Sequence, residues 1–293
     1  MKSTKAHIAV LLTNLFFAGN YSLVKIVSPI PVKPFGLNLL RVAGSLLLFW
    51  ILWMFSKNKL GIERRDVPRF VLCGFFGVAL NQMLFIKGLT MTSAVHASLL
   101  SLVTPILITI LAFWFLKEKF TAYKISGLIF GIGGSVFLIL GKQHANSPEE
   151  YLIGDLLIII NAISYALYFI LVKPLMEKYT PLQVVRWVFT FGFIMMLPFG
   201  WEQLMEIDWS VITATDYASL IFIVFAGTFL AYLFNAFGIQ ILGTATTGSY
   251  IYAQPVFAVL IAVLFFDEDF TLQKLIAGSL IILGVFLVGK KGN

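Results

Sequence analysis

The sequence predicts an all-α integral membrane protein of about ten transmembrane helices, built as two five-helix repeats of inverted topology. Three observations carry that expectation. The 293 residues are 59% hydrophobic and only 12% charged, whereas a soluble domain spends about 25% of its residues on charge to keep its surface wet. The apolar residues come in continuous runs, without the two-residue alternation that a barrel strand needs. The second half of the chain repeats the first.

Runs long enough to cross about 30 Å of hydrocarbon fall at 6–27, 33–55, 67–89, 94–115 and 122–141. A polar stretch, Lys142 to Glu150, separates these from runs at 152–172, 182–200, 216–238, 245–265 and 272–289. The repeats are therefore expected at 1–145 and 146–293. Lys2 and Lys5 ahead of an apolar run resemble a signal peptide, but the run continues through Asn14, Asn20 and Tyr21 without a small-residue cleavage site, so it reads as a retained first helix. One cysteine, Cys73, excludes an intrachain disulfide framework. The net charge of +7 comes from loop residues with no aromatic-interleaved basic patch, so nucleic acid is not an expected partner. The expected partners are the lipid bilayer and a small-molecule substrate.

A shift of 150 residues lays Gly88 on Gly238, Pro105 on Pro255, Glu118 on Glu268, Phe120 on Phe270, Thr121 on Thr271, Lys124 on Lys274 and Gly134 on Gly284. Pro, Glu and Lys are scarce here, so shared apolar composition does not explain the register. The first helices of the two halves also share a Val-Lys ending, Val24-Lys25 and Val172-Lys173. With the N-terminus in the cytoplasm, fourteen loop Lys and Arg fall inside and five outside, which the positive-inside rule favours. Both termini are then cytoplasmic, in the cell (inner) membrane. Lys117-Glu118-Lys119 and its counterpart Asp267-Glu268-Asp269 carry opposite charge at equivalent places, as expected if the repeats are inverted. Such repeats supply two related conformations open to opposite sides, the architecture of a transporter.

Polar side chains at membrane depth are costly, and by default mark function. Asn14, Tyr21 and Lys25 lie on one stripe of the first helix, and Asn161, Ser164, Tyr165 and Tyr168 repeat the device in the sixth. Asn81 and Gln82, Ser98 and Ser101, Tyr232 and Asn235, and Tyr250 and Gln254 add polar groups from the third, fourth, eighth and ninth runs. The expected substrate-binding set is Asn14, Tyr21, Arg41, Asn81, Gln82, Ser98, Asn161, Tyr165, Tyr168, Tyr232, Asn235, Tyr250 and Gln254, around a central cavity. Each has a structural alternative. Small residues such as Ala94, Ala97 and Ser98 also serve close helix packing, Asn14 and Asn161 also serve hydrogen bonds between the halves, and Pro105 and Pro255 kink helices. Arg41 either reaches the interface or presents a fixed positive charge to an anionic solute. His96 is read as structural, and Lys25 as snorkelling. Trp53, Trp187, Trp201 and Trp209 read as interfacial anchors. No acidic residue is placed at mid-membrane depth, so proton coupling has no carboxylate candidate.

Phe17-Ala18-Gly19-Asn20 leading to Lys25, Pro34 with Arg41, Thr104-Pro105 to Glu118, and Gln254-Pro255 to Glu268 followed by Phe-Thr resemble the EamA-type members of the drug/metabolite transporter superfamily. Phe17 and Ala18 stand where that family's pattern has Trp and Gly. The resemblance spans nearly the whole chain. It implies a five-plus-five inverted repeat, a central cavity, and export of amino acids or related metabolites.

Two other classes compete. An integral membrane enzyme would need a motif such as H-E-x-x-H or G-x-S-x-G, or paired carboxylates in the membrane; the sequence has none, and no cofactor or metal is expected. A receptor or scaffold would leave solute levels unchanged in cells lacking the protein.

Overall fold

The computed structural model describes residues 2–56, 61–116, 122–139, 148–265 and 271–289. Helices and short turns account for them, with no strand among the described residues. The first half holds α1 (Lys2–Val27), α2 (Pro34–Met54), α3 (Val67–Gly74), α4 (Leu80–Met91), α5 (Ala94–Leu100), α6 (Val103–Leu116) and α7 (Ala122–Ile139). The second holds α8 (Pro148–Lys178), α9 (Pro181–Met205), α10 (Ala214–Val224), α11 (Ala231–Leu242), α12 (Thr244–Ser249), α13 (Ala253–Phe265) and α14 (Leu272–Gly289).

Among the described residues, seven stretches are long and apolar enough to cross a membrane: Lys2–Val27, Pro34–Met54, Arg64–Met91, Glu149–Lys178, Pro181–Met205, Ala214–Leu242 and Thr246–Phe265. The fourth expected run appears instead as a shorter apolar helix, His96–Ile108. Residues 117–121 and 266–270, which carry Glu118, Glu268 and their charged neighbours, lie outside the described residues, as do 140–147 and 290–293.

Each half contains the same two helix irregularities, 150 residues apart. Pro105 has no N–H to donate, and its ring crowds the carbonyl four residues earlier. That residue is Ser101, where α5 gives way to i→i−3 bonds, Leu102 N to Leu99 O at 3.1 Å and Thr104 N to Ser101 O at 3.0 Å. Pro255 acts likewise on Ile251, which sits in a 3₁₀ turn at Tyr250–Tyr252. The second irregularity is a π-helical segment, Phe75–Ala79 between α3 and α4 and Phe225–Leu230 between α10 and α11. Such wide turns offer backbone carbonyls to side-chain donors and recur at functional sites. A Cβ on Gly77 would run into the Tyr168 ring, and one on Gly227 into the Asn20 amide. Only glycine admits these contacts.

The first helix of each half is embedded in the other half. α1 packs on α10, α11 and α13, and α8 packs on α3, α4 and α6, while α2 lies along α9 and α7 along α14. The outer surface is apolar: Leu47, Phe55, Trp114, Ile129, Ile221, Leu264 and Phe286 are each more than 60% exposed. A soluble protein could not keep so much apolar surface in water; a bilayer supplies its solvent.

Arg186 of α9 is fully buried, and Trp53 and Trp187 wrap it instead of serving simply as interfacial anchors. Its guanidinium lies 4.2 Å from the Trp53 ring centroid, 4.5 Å from Trp50 and 5.4 Å from Trp187. A planar guanidinium stacks face-on against several indoles at once, which a compact ammonium does less well. Arg186→Lys should therefore lower the thermal midpoint, with a loss of about 0.5–2 kcal/mol; an unchanged midpoint would show that the stack contributes nothing.

Candidate functional site

Between the halves lies a polar-lined cavity of about 70 Å³, several times the space that one buried water needs. α1 contributes Phe17, Asn20 and Tyr21, spaced i, i+3, i+4 so that one face meets the cavity. α2 adds Arg41, α4 adds Asn81, Gln82 and Phe85, α8 adds Asn161 and Tyr165, and α11 adds Tyr232. The proline-broken helices close the ring with Ser101, Thr104, Ile251 and Gln254.

The polar lining is cross-linked between the halves. Tyr21 OH donates to Ser101 Oγ at 2.8 Å and to Gln254 Oε1 at 3.3 Å. Gln82 Nε2 donates to the Tyr232 hydroxyl at 3.2 Å, and these two residues are equivalent in the 150-residue register. Asn161 Nδ2 donates to the Asn81 carbonyl at 2.7 Å, and Asn81 Nδ2 to the Asn161 carbonyl at 3.3 Å. The π segments take part directly. Gly227 O accepts from Asn20 Nδ2 at 2.8 Å, and Gly77 O from Tyr232 OH at 3.3 Å. Arg41 Nε donates to Thr228 Oγ1 at 3.0 Å, and Thr228 Oγ1 donates to Ile223 O five residues back at 2.7 Å.

Three lining side chains keep a buried polar atom with no partner among the described residues: Arg41 Nη1, Asn20 Oδ1 and Gln82 Oε1. Their other ends are held, which fixes each amide's orientation. An unmet buried donor or acceptor costs about 1–3 kcal/mol, so a ligand that meets these groups recovers that cost.

Of the residues expected from sequence, Tyr21, Arg41, Asn81, Gln82, Asn161, Tyr165, Tyr232 and Gln254 line the cavity. Asn14, Ser98, Tyr168, Asn235 and Tyr250 lie elsewhere, and the bonds and packing explain four of them. Asn14 accepts from Gln254 Nε2 at 2.8 Å and so supports the wall from one turn below. Asn235 Nδ2 donates to Tyr165 OH at 2.8 Å. Tyr168 fills the space over Gly77, and Tyr250 OH pairs with His7 Nδ1 at 2.7 Å. Ser98 is fully buried. The residue-by-residue expectation did not include Phe17, Asn20, Phe85, Ser101, Thr104 or Ile251. Asn20 carried a usable signal, an amide one position from Tyr21 at mid-depth.

One acidic residue is buried near a helix end: Asp155, in the second turn of α8, is 2% exposed and bonded to buried His96. Lys25, read as snorkelling, donates to the Thr92 carbonyl at 2.5 Å.

An apolar helical body around a polar-lined internal cavity is the build of an integral membrane protein. The EamA-like transporter family model matches the chain twice, at 4–140 and 152–290, and the chain belongs to that family. It is 27% identical to the uncharacterized transporter YetK of Bacillus subtilis, over 83% of this chain and 74% of that one. It is 26% identical to a probable terminal-alkyne amino-acid exporter of Streptantibioticus cattleyicolor, over 99% of this chain and 95% of that one. A crystal structure 17% identical in sequence shares the fold over 98% of this chain and 97% of its own, with a TM-score of 0.70.

Proposed function

We propose that the protein is a secondary transporter that exports small zwitterionic metabolites such as amino acids, by alternating access around the cavity between its two halves. The observation that carries this reading is the set of unmet groups in the cavity. Arg41 Nη1 is a cationic donor suited to a carboxylate, and Asn20 Oδ1 and Gln82 Oε1 are acceptors suited to an ammonium. An α-amino acid presents both within a few ångströms. The exporter name of one relative agrees with this chemistry. The reading takes residues 1–145 and 146–293 as inverted five-helix repeats with ten crossings in all, and both termini in the cytoplasm.

The test is uptake of radiolabelled amino acids into proteoliposomes, against protein-free liposomes. Saturable uptake is expected for at least one amino acid, with competition by other zwitterions and at least ~10-fold weaker competition by the matching decarboxylated amine, which leaves Arg41 unpaired. No uptake across the panel, or amines competing equally, would overturn the assignment.

A further inference from the structure

The seam between α2 and α9 holds a buried cation with no counter-charge, away from the solute cavity. Arg186 is 1% exposed, α2 has no acidic residue, and α9 has none before Glu202, sixteen residues on. Among the described residues, Arg186 Nε and Nη1, Trp53 Nε1 and Trp187 Nε1 are buried and find no acceptor. The two indole rings lie 4.2 Å and 5.4 Å from the guanidinium, so all four nitrogens belong to one cluster. Ring faces offset part of the cation's desolvation. They supply no acceptor to the guanidinium N–H groups, which lie in its plane, or to an indole N–H. The cluster therefore gathers donors and positive charge, and the group that completes it is an anion.

The three indoles around Arg186 are not held equally. Trp50 Nε1 donates to Thr190 Oγ1 at 3.3 Å, and Thr190 Oγ1 donates to Arg186 O at 2.8 Å, which ties that ring to the α9 backbone. The Trp53 and Trp187 side chains are half-buried and kept by packing alone. Such a ring can turn aside for a ligand and offer it the N–H that now points inward.

The place of the cluster in the fold points to the source of the anion. Arg186 stands five residues into α9, about 7.5 Å along its axis, and Trp53 lies in the last turn of α2. Both are near a membrane surface, within a long side chain's reach of lipid phosphates. Leu47 and Met54 of α2 and Ile194 of α9, which flank the rings, are each more than half exposed on the apolar outer surface. One turn nearer the helix ends, Ser56 and Leu182 line an open groove shared with Lys5. Beyond α2 the chain continues through Lys57, Lys59, Arg64, Arg65 and Arg69, and the acids among them, Glu63 and Asp66, are bonded to Lys178. A basic surface of this kind concentrates anionic headgroups. A phosphoryl group presents several anionic oxygens, so it can accept from a guanidinium and an indole N–H together.

We propose that Arg186, Trp53 and Trp187 form a second binding site, separate from the solute cavity, for a phosphoryl group supplied by an anionic phospholipid headgroup or by free phosphate. None of these residues lines the solute cavity, so the assignment does not depend on the transporter reading. The bound group gives the guanidinium its counter-charge and bridges α2 to α9, which come from opposite halves.

Native mass spectrometry of delipidated protein in detergent tests the site, with dioleoylphosphatidylglycerol, dioleoylglycerol or inorganic phosphate added. Wild type is expected to retain phosphatidylglycerol in preference to dioleoylglycerol, which has the same chains and no phosphate. Arg186→Gln should weaken that retention at least ~10-fold, the scale of hydrogen bonds to a charged group. Trp53→Phe keeps a ring on the guanidinium but removes one donor, and should weaken it at least ~3-fold. Arg69→Gln, which removes an exposed charge outside the cluster, should change it by less than ~2-fold. Thermal midpoints and gel filtration check that each variant folds, and Trp53→Phe/Trp187→Phe decides the matter if Arg186→Gln does not. Retention of phosphatidylglycerol alone assigns the lipid as the source, whereas phosphate binding with the same dependence on these variants opens the site to the free anion. Retention unchanged in the folded cluster variants, equal retention of dioleoylglycerol, or no binding of either phosphoryl compound would overturn the proposal.

Discussion

Arg41→Ala is expected to weaken amino-acid uptake by roughly 10- to 100-fold in KM, because a hydrogen bond to a charged group contributes about 1.5–3 kcal/mol. Arg41 is 3% exposed, Thr228 anchors its Nε, and Nη1 is left for a ligand. Low local dielectric makes the missing bond costly on both sides, since the solute's carboxylate would enter a cavity with no counter-charge. Arg41→Lys keeps the charge but loses the fork that holds Thr228 and a carboxylate together, so its uptake should fall between wild type and alanine. A solute without a carboxylate should be indifferent to both changes. The measurement is the initial rate of uptake against solute concentration. Unchanged kinetics in Arg41→Ala would make the residue a clamp between α2 and the π segment, and remove the electrostatic basis for an amino-acid substrate.

Gly227→Ala is expected to destabilise the protein by about 1–3 kcal/mol, the usual cost of forcing extra volume into a packed site. The added methyl would overlap the Asn20 side-chain amide, which is itself fixed by donating to the Gly227 carbonyl. Asn20 can leave only by giving up that bond, and it lines the cavity, so solute affinity should fall with stability. Gly61→Ala is the control, with nothing within 4 Å of its Cβ, and should leave the thermal midpoint in place. A wild-type midpoint in Gly227→Ala would mean that α1 and the π segment yield more easily than close packing allows.

How far the site could be read from sequence follows from helix geometry. The stripe through Asn14, Tyr21 and Lys25 has the correct face of α1, but depth along that face separates the roles. Tyr21 meets the cavity, Asn14 lies behind Gln254, and Lys25 reaches the Thr92 carbonyl. Asn20 sits about 100° around the helix from Tyr21, and it enters the lining because Phe17, Asn20 and Tyr21 together make the face presented inward. Asp155 was hidden for a different reason. A carboxylate seven residues into a helix reads as an end group, and its burial depends on His96, 59 residues away in the chain.

By itself, the sequence determined the membrane class, the duplication, the family and the two prolines that break helices. These depend on composition and on local chemistry, such as a proline acting on a carbonyl four residues earlier. Only the tertiary structure decided which polar groups meet, which of them stay unpaired, and that His96 and Asp155 pair between α5 and α8. Those outcomes depend on the depth and rotation of helices from opposite halves, which distant packing sets and no local pattern encodes.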